Sequence, residues 1–130
     1  MALVPLIDDD DAPAEVRAVY DDIRATRKTD YVNHFWRALA NDPRELARVW
    51  THTRDVMGAG ALDALTKELV YLAVSITNNC EYCIRSHRAG AVAKGMSAEM
   101  FMELAAVVAL ANANNRLANA LQVDVDERYR

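Results

Sequence analysis

The apolar positions along this chain recur mainly at intervals of three and four residues, the spacing that lines them along one face of an α-helix. No segment shows the sustained alternation of apolar and polar residues that is typical of a half-buried strand. The pattern therefore predicts an all-α protein of about six helices. We place the helices over about 13–28, 31–39, 43–57, 62–77, 80–94 and 98–121.

Polar residues between these stretches predict where helices begin. Residues 1–11 have the character of an extended arm, and its acidic end, Asp8–Asp11, suits a solvated helix entrance because acidic side chains favour helix N-termini. Asp30 is the predicted cap of the second helix, and Asp42, followed by proline, that of the third. A polar turn at 78–79 is expected to fold the fifth helix back beside the fourth.

Length and composition indicate one soluble domain over 1–130, with residues 62–121 as its core. The chain is 52% hydrophobic and 26% charged, and its net charge of −4 offers no basic surface for nucleic acid or an anionic membrane. No apolar run reaches the length of a membrane span. The short apolar stretch 2–7 lacks the basic flank of a signal peptide, so we expect a cytoplasmic protein.

The fourth and sixth predicted helices are apolar on more than one side. The run from Leu104 to Ala113 is almost entirely apolar, with Asn112 as its one polar residue. A small monomer rarely hides that much apolar surface, so the pattern predicts an obligate oligomer.

The candidate chemistry lies in the fifth helix, which holds the two cysteines of the chain, Cys80 and Cys83, followed by His87. Residues three and four apart are neighbours on a helix, so these three side chains share one face. A cysteine is nucleophilic as its thiolate, which a nearby base or a helix N-terminus favours. A second cysteine within reach can trap an oxidised first one as a disulfide. The pattern thus predicts a thiol redox site.

Glu68 is the second informative residue, because it lies within the apolar stripe of the fourth helix. A buried carboxylate is costly unless it is paired or hydrogen-bonded. Lys67 points to another side of the helix, so the best candidate partner is His87 on the next helix. A carboxylate in that position would orient the imidazole and raise its basicity. The alternative is a half-exposed glutamate at the edge of the stripe.

Spacing alone leaves several alternatives open. Cys83 lies one turn from His87, whereas Cys80 lies at the first turn of its helix, where the helix dipole also favours a thiolate. The cysteines could instead be two small buried residues. They could also hold zinc together with His87 and Glu68, although no second Cys/His pair is present.

Glu68, the Cys80-Glu81-Tyr82-Cys83 segment and His87 together resemble the alkyl hydroperoxidase D-like branch of the carboxymuconolactone decarboxylase family. The spacing of Glu68 to Cys80 is similar to that of the family, and so are the segments 93–97 and 115–116. In detail the resemblance covers about residues 60–120. The decarboxylase branch of the family lacks the cysteine pair, so decarboxylation is disfavoured.

The resemblance implies the all-α family fold, assembled as trimers or hexamers. It implies that a hydroperoxide oxidises Cys83 to the sulfenic acid, and that Cys80 donates a proton and then resolves this acid as a disulfide. Glu68 and His87 would form a proton relay. No metal or other cofactor is implied beyond the redox-active disulfide, and a thiol or lipoyl-bearing protein would be the reductant. Tyr82 departs from the best-known peroxidase, which has histidine there; it is a candidate for the pocket wall or the relay.

The leading hypothesis is therefore a thiol-dependent peroxidase or disulfide reductase of the antioxidant type. A different class is a redox-sensing or interaction protein, in which the cysteine pair oxidises without efficient turnover. A zinc-stabilised structural module is the third class.

Overall fold

The computed structural model describes residues 1–130 and contains six α-helices and no strand, which confirms the predicted all-α class. The helices are α1 (Ala14–Arg27), α2 (His34–Leu39), α3 (Pro43–Met57), α4 (Ala64–Thr77), α5 (Glu81–Ala93) and α6 (Ala98–Ala120), and a 3-10 turn follows at Glu127–Tyr129. The chain divides into two compact units, an N-terminal unit (Met1–Gly58) and a C-terminal unit (Ala59–Arg130). The expectation of a single domain over 1–130 stays a prediction.

The N-terminal unit packs α1 and α2 against α3. Its core contains nine buried residues: Ala12, Val16, Tyr20, Ile23, Val32, Trp36, Ala40, Leu46 and Trp50. The rings of Trp36 and Trp50 meet edge to face with centroids 5.3 Å apart, a favourable aromatic geometry. The indole N–H of Trp50 donates to Asp22 at 2.6 Å, so this large side chain is buried without an unsatisfied polar atom.

The acidic arm is more than a solvated helix entrance, which corrects the sequence-based interpretation. Asp9 accepts hydrogen bonds from Arg24 at 2.6 Å and from Arg37 at 3.0 Å. These bonds, that from Arg24 foremost, hold the pKa of Asp9 below its ordinary value. The arm is thus fastened to α1 and α2 by a carboxylate between two guanidinium groups.

The second helix begins later than predicted, and Asp30 does not cap it. Lys28 ends α1 in the left-handed conformation, with φ of 53°. The chain then runs through a turn in which the backbone carbonyl of Asp30 accepts from Arg24 at 3.0 Å. Asn33 occupies the N-cap position of α2, so Tyr31 lies outside the helix. The hydrogen bond from Arg24 holds Asp30 beside the end of α1, so Asp30 does not cap α2.

Other helix ends follow the sequence signals. The carboxylate of Asp42 accepts from the backbone N–H groups of Arg44 and Glu45, as expected of an N-cap before proline. Asp63 caps α4 in the same way, so this helix begins at Ala64, two residues later than predicted.

The C-terminal unit packs α4 against α5 and α6. Its core consists of Leu72, Ala91 and Met96, with partly buried apolar residues around them. The predicted turn between α4 and α5 is present. Asn79 adopts a left-handed conformation with φ of 56°, and the N–H of Cys80 donates to the carbonyl of Ser75 at 3.0 Å. This closure ends α4 and starts α5 at once, so the two helices lie side by side.

The sixth helix leaves much of its apolar surface exposed. Only Val108 is buried within α6, whereas Val107 and Leu110 are each 62% exposed. These exposed residues agree with the excess of apolar surface in the sequence. Even so, none of the helices combines the length and the apolar character needed to cross a membrane.

Candidate active site

The cysteine pair lies at the start of α5. Cys80 is the N-cap residue, and its sulfur accepts a hydrogen bond from the backbone N–H of Cys83 at 3.3 Å. Cys83 lies in the first turn, and the two residues form a disulfide with their Cα atoms 5.3 Å apart. The helix start therefore holds the two sulfur atoms within bonding distance, with one of them directed at the positive end of the helix dipole.

Glu68 projects from α4 towards α5 and is buried, with a relative exposure of 6%. Its Oε2 atom lies 2.7 Å from Nδ1 of His87. The contact predicted between these two residues is therefore present, and the alternative of a half-exposed glutamate is wrong. The helical hairpin creates the contact, because it sets the middle of α4 beside the second turn of α5.

Lys94 is a third member of this cluster that the sequence analysis did not select. Its Nζ atom lies 2.8 Å from Oε1 of Glu68. Burial, the largest single influence, raises the pKa of Glu68, but the hydrogen bonds and charges of His87 and Lys94 outweigh it and leave the pKa below its ordinary value. Glu68 is therefore a carboxylate at neutral pH.

The ionised Glu68 determines which nitrogen of His87 carries a proton. A carboxylate only accepts hydrogen bonds, so Nδ1 must donate. In the neutral imidazole, Nε2 is then the unprotonated nitrogen and can accept a proton. Because His87 follows Cys83 by four residues on α5, the two residues share one face of this helix.

Gly90 allows Glu68 to approach α5. A Cβ atom at this position would lie only 2.9 Å from Oε1 of Glu68 and 3.2 Å from its Cδ atom. Any side chain there would occupy the space of the carboxylate. A glycine in a helix interior usually weakens the helix, so here the close packing of Glu68 accounts for it.

Two tyrosines flank the cluster. Tyr71 on α4 stacks on the imidazole of His87, with ring centroids 3.6 Å apart and planes 20° from parallel. It is 41% exposed, so it forms the outer wall of the histidine site. Tyr82 lies between the cysteines on α5 and is exposed, and its expected place in the pocket wall or the relay stays a prediction.

The four residues considered as zinc ligands have other partners in this structure. No group of three or more His, Cys, Asp or Glu side chains is arranged to hold a metal ion. Cys80 and Cys83 are joined to each other, and His87 directs its Nδ1 atom to Glu68.

Residues 44–126 match the carboxymuconolactone decarboxylase family, and the chain belongs to this family. Among solved structures, the crystal structure of the alkylhydroperoxidase AhpD core from Rhodospirillum rubrum is 52% identical, with 99% of this chain and 97% of that chain covered and a TM-score of 0.96. Among curated proteins, "Uncharacterized protein 4 in cox locus" of Paracoccus denitrificans is 37% identical over 76 residues, which span 53% of this chain and 68% of that protein. The family and the alkyl hydroperoxidase D-like fold that the sequence predicted are thus confirmed.

Proposed function

We propose that this protein is a thiol-dependent peroxidase of the antioxidant type, which reduces hydroperoxides through Cys80 and Cys83. One observation carries the proposal: a cysteine pair close enough to form a disulfide lies one helical turn from a histidine whose Nδ1 is held by a buried carboxylate. This is the arrangement of nucleophile, base and orienting group that activates a thiol. The similarity to the alkylhydroperoxidase core of Rhodospirillum rubrum supports it.

The first step is the oxidation of Cys83. Its thiol gives a proton to Nε2 of His87, and the thiolate attacks the terminal oxygen of the hydroperoxide. The S–O bond forms as the O–O bond breaks, and the leaving alkoxide takes the proton of the Cys80 thiol. The products are the sulfenic acid on Cys83, a thiolate on Cys80 and an alcohol.

The second step forms the disulfide. The Cys80 thiolate attacks the sulfenic sulfur of Cys83, and the departing hydroxide takes the proton held by His87 and leaves as water. A dithiol reductant then reduces the disulfide by thiol–disulfide exchange and is itself oxidised. A lipoyl-type dithiol fits this step, and neither metal nor flavin is needed as a cofactor.

Steady-state turnover tests the proposal. We expect the parent protein to consume cumene hydroperoxide continuously with dihydrolipoamide as the reductant, and Cys83→Ser to abolish this activity. His87→Gln should lower the rate by about 100-fold, since a positioned general base contributes at least that much. His52→Gln, which removes an exposed histidine of α3, is the matched control and should retain the parent rate.

The alternative of a redox sensor gives a different result in the same assay. A sensor would consume about one equivalent of hydroperoxide and then stall despite excess dithiol. Such a stall would refute the peroxidase proposal.

We also propose that the protein works as a homo-oligomer, a trimer or hexamer, in the cytoplasm. The exposed apolar residues of the C-terminal unit support self-association, among them Val74 on α4 and Val107 and Leu110 on α6. Light scattering should give the mass of a trimer or hexamer for the parent. Leu110→Glu should shift it towards the monomer, and a monomeric parent would contradict the proposal.

A further inference from the structure

We propose that Lys94 is a positioning residue of the redox site, which keeps Glu68 ionised and directs its second oxygen to His87. This inference rests on the proposed peroxidase function for its effect on rate, but its effect on Glu68 can be measured separately.

The geometry divides the carboxylate between two partners. Nζ of Lys94 lies 2.8 Å from Oε1 of Glu68, and Nδ1 of His87 lies 2.7 Å from Oε2. Each carboxylate oxygen therefore accepts one hydrogen bond from a different residue. With Oε1 held by the ammonium group, the carboxylate cannot rotate to offer both oxygens to Lys94 or both to His87. Lys94 thereby fixes the orientation of the group that in turn fixes the imidazole.

The charges favour the same role. Glu68 is buried, and an isolated buried carboxylate tends to take up a proton. A protonated Glu68 could donate a hydrogen bond to Nδ1 of His87, which would leave the proton on Nε2 and remove the base that we propose accepts the proton of Cys83. Lys94 opposes this change because its positive charge favours the ionised carboxylate.

Few other charged groups bear on Glu68. His87 and Lys94 are the two whose charge acts on it. In the disulfide form, which is the form used to titrate Glu68, Cys80 and Cys83 carry no charge. On α6, which also packs against α4, Glu99 and Glu103 are exposed to solvent.

The end of α5 holds Lys94 in place. Lys94 is the C-cap residue, and its backbone N–H donates to the carbonyl of Ala91 at 3.0 Å. Gly95 follows with φ of 104°, and Met96 returns to the core, with its N–H also bonded to Ala91 at 3.0 Å. This closure directs the lysine back along the helix towards Glu68, while its side chain remains 39% exposed.

The test compares Lys94→Met, which removes the charge but retains an unbranched side chain, with Lys94→Arg, which retains the charge. Lys28→Met is the control, because it removes one positive charge from an exposed position of the N-terminal unit. The first measurement is the rate at which cumene hydroperoxide oxidises the reduced protein, between pH 5 and pH 9. The second is the titration of the Glu68 carboxyl carbon by NMR in the disulfide form, assigned with Glu68→Gln.

We expect Lys94→Met to lower the oxidation rate by about 10- to 100-fold at pH 6, which corresponds to the free energy of one hydrogen bond to a charged group. The loss should shrink as the pH rises, because Glu68 ionises again. The pKa of Glu68 should rise in this variant, since the ammonium group that lowers it is gone. Lys94→Arg should restore most of the rate, and Lys28→Met should match the parent.

Two results would overturn the inference: an unchanged titration of Glu68 in Lys94→Met, or an equal, pH-independent loss of rate in the methionine and arginine variants. The latter would indicate that Lys94 only supports the helix end. If the parent itself does not react with hydroperoxide, the proposed function fails, and the titration of Glu68 alone decides the role of Lys94.

Discussion

Replacing Gly90 by alanine tests the packing on which the relay depends. The new Cβ atom would lie 2.9 Å from Oε1 of Glu68, whereas ordinary van der Waals contact begins at 3.4 Å. The Glu68 carboxylate and α5 must therefore separate by about 0.5 Å. A shift of this size costs a close contact about a quarter or more of its energy. The moved oxygen is the one that binds Lys94.

The sign of the expected effect is opposite to the usual one. Alanine in place of glycine within a helix normally stabilises it by about 1 kcal/mol. Here, overpacking costs about 1–3 kcal/mol, and the weakened hydrogen bond from Lys94 loses part of the about 1.5–3 kcal/mol that a hydrogen bond to a charged group contributes. We therefore expect Gly90→Ala to lower the free energy of unfolding by about 2 kcal/mol net.

Urea unfolding of the disulfide form measures this effect, and a second background isolates its cause. In Glu68→Ala the carboxylate is absent, so Gly90→Ala should then stabilise the protein by about 1 kcal/mol through helix propensity alone. The two backgrounds should thus differ by about 3 kcal/mol, a coupling typical of residues in direct contact. A Gly90→Ala variant that is equally stabilised in both backgrounds would refute the close packing of Glu68 against α5.

Three further perturbations test other parts of the structure. Asp9 has a depressed pKa, chiefly through its hydrogen bond from Arg24, so it contributes stability above its ordinary pKa of 3.8 that is lost as the pH falls through the folded value. Asp9→Asn should therefore weaken the acid dependence of unfolding, and an unchanged pH profile would contradict this. Tyr71→Ala should slow the oxidation of Cys83 by about three- to tenfold through loss of the stacked ring, whereas Tyr71→Phe should not; equal losses would exclude the stack. Asp42→Ala should lower the free energy of unfolding by about 1 kcal/mol through loss of the N-cap, with Asp42→Asn near the parent, and an unchanged urea midpoint would refute it.

The sequence predicted well those features that depend on local chemistry. The helical spacing of apolar residues gave the all-α class, and Asp42 followed by proline marked the start of α3 correctly. Glu68 inside an apolar stripe was informative because a buried carboxylate requires a partner. The polar turn after α4 then limited that partner to α5, where His87 was the suitable residue.

Features that depend on tertiary packing were not predicted. Lys94 lies 26 residues from Glu68 and beyond the last turn of α5, so no helical spacing connects the two. Gly90 was not selected from the sequence, because its role depends on the side chain of Glu68 that α4 sets against it. Aspartate is a common N-cap residue, which is why Asp30 was predicted as a cap. In the structure its backbone carbonyl instead accepts a hydrogen bond from Arg24 at the end of α1.

The central claim is that Cys83 reacts with hydroperoxide and Cys80 resolves the product. The most direct test is a single-turnover thiol count on reduced protein mixed with a small excess of cumene hydroperoxide, with Cys83→Ser and Cys80→Ser alongside. We expect rapid loss of both thiols in the parent, slow oxidation in Cys83→Ser, and a sulfenic acid that dimedone traps in Cys80→Ser. Unchanged thiols in the parent, or rapid oxidation in Cys83→Ser, would contradict the account.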